Sequence, residues 1–136
     1  MPSESYKAAV EKIAAAKREA QEIAKVEFEK EAKSLLDEMN IDSFTWQQYT
    51  PYFNDGDACV FGVYADDPKI NGMDYYEAGD YVAYNDPRYE EMQAPYRRIV
   101  KFVNEFSEED LLFMFGDHVE VTVSRDGIEV DDYDHD

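Results

Sequence analysis

The sequence predicts an α+β fold, a long N-terminal helix set against a small antiparallel sheet with one or two further helices. Three observations lead there. Residues 3–39 contain no Gly or Pro and space their apolar residues by three and four. After Asn40 the apolar spacing falls to two. The C-terminal region repeats that alternation on both sides of an Asp126-Gly127 turn.

In residues 3–39 Ala, Glu and Lys dominate, all good helix formers, and Ser3 or Ser5 can cap the start. The larger apolar residues are Tyr6, Val10, Ile13, Ile23, Phe28, Leu35, Leu36 and Met39. A single helix of this length would run about 54 Å at 1.5 Å per residue. A body of about 100 residues has a radius of gyration near 13 Å, so the helix should overhang it. Its middle offers mostly alanine, which packs closely but buries little area, so a break near residues 14–20 is the alternative to an overhang. The stripe Tyr6, Val10, Ile13 and Phe28 is the expected surface for a homodimer or for docking on a partner.

Residues 43–49 alternate, with Phe44, Trp46 and Gln48 on one side and Thr45, Gln47 and Tyr49 on the other, which is a strand. Pro51 and Asn54-Asp55-Gly56 then mark a turn, and residues 58–64 read as a second strand, making a hairpin with a long loop. Turn signals crowd residues 65–87, with residues 81–84 as a candidate third strand. Residues 88–105 resume helical spacing around Pro95, which should start a new turn or kink the helix. Ser107-Glu108-Glu109-Asp110 is a helix start, and Gly116 should stop the short apolar helix that follows. Residues 118–124 and 128–131 form the closing hairpin. The chain thus divides into a long helix (1–40), an acidic α+β body (41–130) and an acidic tail (131–136).

Charge is the distinctive property. The chain has 136 residues with 32 acids and 13 bases, a net charge of −19. Residues 1–40 hold nine acids and seven bases, whereas residues 41–136 hold 23 acids and six bases. The body therefore carries a net −17, which repels nucleic acid and anionic membranes and attracts basic proteins. The 15% aromatic content separates it from disordered acidic chains. No apolar run approaches the roughly 18 residues of a membrane span, and the N-terminus lacks a secretory core, so the expected location is cytoplasmic.

The run Trp46-Gln47-Gln48-Tyr49-Thr50-Pro51-Tyr52-Phe53-Asn54-Asp55-Gly56-Asp57-Ala58-Cys59-Val60-Phe61 resembles a motif of small uncharacterised phage and bacterial proteins that place a Lys/Glu-rich helix before it. The resemblance covers about half the chain and implies a phage or prophage setting, hence a host cytoplasm. It implies no catalytic or binding residue.

Candidate chemistry is sparse. Cys59 could act as a nucleophile with His118 as its base, but an apolar strand between Ala58 and Val60 would leave the thiol inert. A calcium loop aligned on Gly72 puts Lys69 and Ala78 at ligand positions, and neither can serve. No phosphate loop, dinucleotide fingerprint or zinc spacing is present, so no catalytic residue, metal or cofactor is assigned. Carboxylates two residues apart on a strand lie about 6.6 Å apart, comparable to the phosphate repeat of one nucleic-acid strand. A net −17 matches about 29 Å of duplex at one charge per 1.7 Å.

The expected function is accordingly non-enzymatic: binding and inhibiting a basic, nucleic-acid-binding host or defence protein by mimicking nucleic-acid charge. The residues expected to be exposed for it are Asp66, Asp67, Asp74, Glu77, Asp80, Glu90, Glu91, Glu120, Asp131 and Asp132. The alternative is a helix-mediated interaction or oligomerisation module whose acidity only serves solubility. Whether the acids gather on one face or scatter separates the two.

Overall fold

The computed structural model describes residues 3–51, 59–79 and 82–134. Helix α1 spans Glu4–Met39 without a break. Ser3 caps its start by accepting the Tyr6 amide, and Asn40 closes it in the left-handed conformation (φ 55°). Strands β1 (Ser43–Tyr49), β2 (Gly62–Ile70), β3 (Val119–Ser124) and β4 (Gly127–Asp132) form one antiparallel sheet in the order β2-β1-β3-β4. Helices α2 (Tyr89–Asn104) and α3 (Glu108–Phe115) complete the fold.

All three helices pack on one face of the sheet, because the period-two pattern puts Phe44 and Trp46 of β1 and Val119, Val121 and Val123 of β3 on that face. Phe28, Ala32, Leu35 and Leu36 of α1 join them with Ile99, Val103, Leu111 and Phe115. The outcome corrects one expectation. Phe28 is not part of an exposed docking stripe; it is buried at the centre of the core, within 4.9–5.9 Å of the Trp46, Phe102, Phe106 and Phe115 rings.

Gln48 shares the core side of β1 and is fully buried. Its carbonyl accepts the Trp46 indole N–H at 3.0 Å, and its amide donates to the carbonyls of Leu111 (2.9 Å) and Gly116 (2.8 Å). One side chain thereby satisfies the indole and the Gly116 carbonyl at the C-cap of α3, and adds a second bond to the Leu111 carbonyl within the helix.

β2 differs from expectation. It begins at Gly62 and runs to Ile70, so residues 59 and 60 precede it, and Cys59 is exposed instead of buried in a strand. The register explains the displacement. Thr45 faces Lys69 and Gln47 faces Tyr64, so one β1 residue stands opposite the four residues 65–68. This bulge accommodates Pro68, which has no N–H for a ladder bond, and turns Asp66 and Asp67 outward while Ala65 and Pro68 stay buried.

Among the described residues of the candidate third strand, 82–84 form none; Val82 is instead buried, its amide donating to the Tyr75 hydroxyl at 3.0 Å. Pro95 leaves α2 continuous because it lies on the exposed side, where water can satisfy the carbonyl its ring leaves unpaired. α3 matches its start signal: Ser107 accepts the Asp110 amide at 3.1 Å, and three acids occupy the first turn. Arg125 ties the β3–β4 turn to α1, pairing with Asp37 and donating to the Ile41 carbonyl at 3.1 Å.

Candidate functional site

The sheet face turned away from the helices carries the most organised surface chemistry. Its side chains form cross-strand rows. One row is Lys69, Thr45, Thr122, Glu129; the next is Tyr64, Gln47, Glu120, Asp131; Gly62 and Tyr49 lie beside it, with Tyr133 at the end of β4. Thr45 and Thr122 share a hydrogen bond at 3.0 Å, and Gln47 donates to Glu120 at 2.9 Å.

Two features stand out. The first is a tyrosine stack. Tyr49 is buried between Tyr64, stacked at 4.2 Å, and Tyr133, at 5.7 Å. Burial first, then the neighbouring Tyr64 and Tyr133 phenols, raises the Tyr49 pKa above its ordinary 10.0, so this ring keeps its proton. Gly62 makes room for the stack: a Cβ there would lie 2.9 Å from the Tyr64 hydroxyl. Gly62→Ala should push Tyr64 off Tyr49, diminish the near-ultraviolet tyrosine dichroism and lower stability by about 1 kcal/mol. An unchanged tyrosine signal would mean that the ring does not need that space.

The second feature is like charge placed face to face. Glu120 and Asp131 are direct cross-strand partners, and Glu129 lies two residues from Asp131 on the same side. Opposed like charges disfavour the pairing. Among the described residues none of these three carboxylates forms an ion pair, and Lys69, at the far end of Glu129's own row, lies three strands from it, about 14 Å of backbone away. The body's arginines are engaged elsewhere: Arg88 with Asp86, Arg97 with Glu90, Arg98 with Glu38, and Arg125 with Asp37. The Arg88 hydrogen bonds hold the Asp86 carboxyl below its usual range.

The structure distributes the expected binding acids over separate places. Glu120 and Asp131 come together on the open face, whereas Asp132 is exposed on the helix side of β4, opposite Val119. Asp66 and Asp67 sit in the β2 bulge at the other sheet edge, sharing a cleft with Tyr75, Tyr76 and Tyr96. Asp74 and Glu77 are occupied locally, each carboxylate accepting the other's backbone amide at 2.8 and 3.3 Å. Glu90 pairs with Arg97, and Glu91 lies one residue on in the first turn of α2. Asp80 lies outside the described residues, as do residues 52–58 of the hairpin motif. The ten acids therefore do not make one continuous face. Sequence reasoning missed Glu129, Tyr64 and Tyr133, although parity along β4 was enough to place residues 129 and 131 together.

His118 precedes β3 with φ 53°, its backbone held by Asp117, whose carboxylate also accepts the Thr50 amide and hydroxyl. Among the described residues no group of three His, Cys, Asp or Glu side chains is arranged to hold a metal ion, and no helix is long and apolar enough to cross a membrane. Compared with protein-family models, curated proteins and solved structures, the chain matches none of them.

Proposed function

We propose that this protein is a non-enzymatic binding protein that engages a basic, nucleic-acid-binding protein through the open sheet face and blocks its access to DNA or RNA. The ten expected acids are spread over separate places, so the proposal is confined to a local patch: the observation that carries it is the Glu120–Asp131 juxtaposition, extended by Glu129 and bordered by the Tyr49, Tyr64 and Tyr133 rings. A surface that only needs solubility gains nothing by placing like charges directly across a strand pair. A surface that receives lysine or arginine does, because the incoming cation relieves the repulsion. The tyrosines supply rings on which an arginine guanidinium stacks. Asp66 and Asp67 at the opposite edge extend the attraction without joining the contact, as does the net −17 of the body. The resemblance of the hairpin segment to phage proteins gives the proposal its setting, a host cytoplasm in which the target is a nuclease or defence complex.

The test is capture of a partner from host cells, followed by a salt series and competition with DNA. Affinity should fall steeply with salt, and DNA should displace the protein. The triple variant Glu120→Gln, Glu129→Gln, Asp131→Asn should bind about tenfold to a hundredfold more weakly. It should stay folded, gaining up to about 0.5 kcal/mol as cross-strand repulsion disappears. Binding that ignores salt, tolerates DNA and survives the triple substitution would exclude charge mimicry.

A further inference from the structure

The first half of α1 is a helix without a body to pack on. Residues 4–20 are exposed except for half-buried Ala14, and the first tie to the body is Gln21, whose amide donates to the Phe113 and Met114 carbonyls of α3. Yet the face that α1 lays on the core continues into this overhang. Tyr6, Val10, Ile13, Lys17, Ala20 and Ala24 follow at spacings of four and three, on the side that later carries Phe28, Leu35 and Ala32. Tyr6 is 61% exposed, Val10 47% and Ile13 56%. Ile23 and Val26, exposed as well, lie on other sides of the helix. Where the stripe reaches the body, an open cleft of about 410 Å³ lies between α1 and α3. Its walls are Ala24, Phe28, Phe106, Phe113 and Met114, and its rim is acidic, with Glu27, Glu31 and Asp110.

We infer that the overhang pairs antiparallel with the overhang of a second copy of this chain, each copy's Tyr6 seating in the other's α1–α3 cleft. This does not depend on the proposed binding of a basic partner. Charge identifies the occupant. Residues 4–20 hold three acids and four bases, while the rest of the chain carries a net −20, so an overhang at net +1 can approach the acidic rim of the cleft, which repels the rest of the chain. Two bodies of that charge repel each other, and the antiparallel arrangement keeps them at opposite ends of the paired helices. Shape identifies the register. The stripe is large at one end and small at the other, so antiparallel pairing sets Tyr6 across from Ala24 and Val10 across from Ala20, large against small. A parallel pair would stack Tyr6 on Tyr6 and leave the alanine end loose. Lys17 falls opposite Ile13, its stem covering the isoleucine while its ammonium reaches water; a single lysine in such a seam fixes register at the expense of affinity.

Sedimentation over a concentration series tests this with the full chain. Wild-type protein should pass from monomer to dimer. Ile13→Asp should weaken dimerisation by about a hundredfold or more while leaving the thermal midpoint of the dilute monomer unchanged. Lys17→Leu should tighten it by about tenfold or more. Orientation is read in a Cys59→Ser background: a mixture of Tyr6→Cys and Ala24→Cys chains should cross-link on oxidation, and Tyr6→Cys chains alone should not. A monomer at every concentration, a Lys17→Leu variant that binds no tighter, or cross-linking of Tyr6→Cys with itself would each overturn the inference.

Discussion

Replacing Gln48 with methionine should lower stability by about 3–5 kcal/mol, although the volume of the side chain hardly changes. The reason is that Gln48 links three polar groups: the buried Trp46 indole, the Leu111 carbonyl within α3 and the half-buried Gly116 carbonyl at its C-cap. Its carbonyl receives the Trp46 indole N–H, and its amide donates to both carbonyls. Methionine keeps the shape and removes one acceptor and two donors. Each polar group left unpaired in a buried setting costs about 1–3 kcal/mol, and the Leu111 carbonyl still has its helical partner. Urea unfolding followed by Trp46 fluorescence measures the loss. A change below about 1 kcal/mol would mean that water replaces the amide, contrary to the complete burial of Gln48. Combining the change with Trp46→Phe should cost less than the sum of the two, because the indole then needs no acceptor.

Phe28→Ala should cost about 3–5 kcal/mol in the same measurement, whereas Val10→Ala, on the same helix, should change the dilute monomer by less than about 0.5 kcal/mol. Phe28 is 2% exposed and touches aromatic rings from β1, α2 and α3, with Phe106 between the last two, so its removal opens a cavity where every layer meets. Val10 contributes nothing to that core. The contrast places the working boundary of α1 near Gln21, where contact with the body begins. Equal losses at the two positions would mean that the N-terminal half packs on its own body.

Most elements were legible because their signals are local. Period-two alternation placed β1 and β3 to within a residue, and Ser107 with Gly116 bounded α3. The start of β2 was not legible, because alternation cannot announce a bulge that inserts residues 65–68 opposite a single partner, nor say that Cys59 lies ahead of the strand. Helical periodicity correctly grouped Phe28 with Val10 on one face; where the body ends along that face is a tertiary property, and it separates a core residue from an exposed one. The candidate binding face was half legible. Composition singled out the acids, and alternation put Glu120 on the side of its strand away from Val119 and Val121. The pairing of β3 with both β1 and β4 was needed to bring Glu120 beside Asp131 and Tyr133 beside Tyr49.

The strand order also has a kinetic meaning. β1 lies inside the sheet between β2, its neighbour along the chain, and β3, met only across a separation of 73 residues between Gln47 and Glu120. Closing a loop of that length costs about 4 kcal/mol of chain entropy before any contact rewards it. The β3–β4 hairpin and the helices need no such closure. Docking β1 against β3 is therefore the step expected to be slow, with refolding on the millisecond-to-second scale of chains rich in distant pairings. Trp46 packs on Phe28 of α1 and on Phe115 of α3, so its fluorescence in a stopped-flow refolding experiment should report the arrival of α3 and β3 on β1, and a single fast phase would show that this docking is not slow.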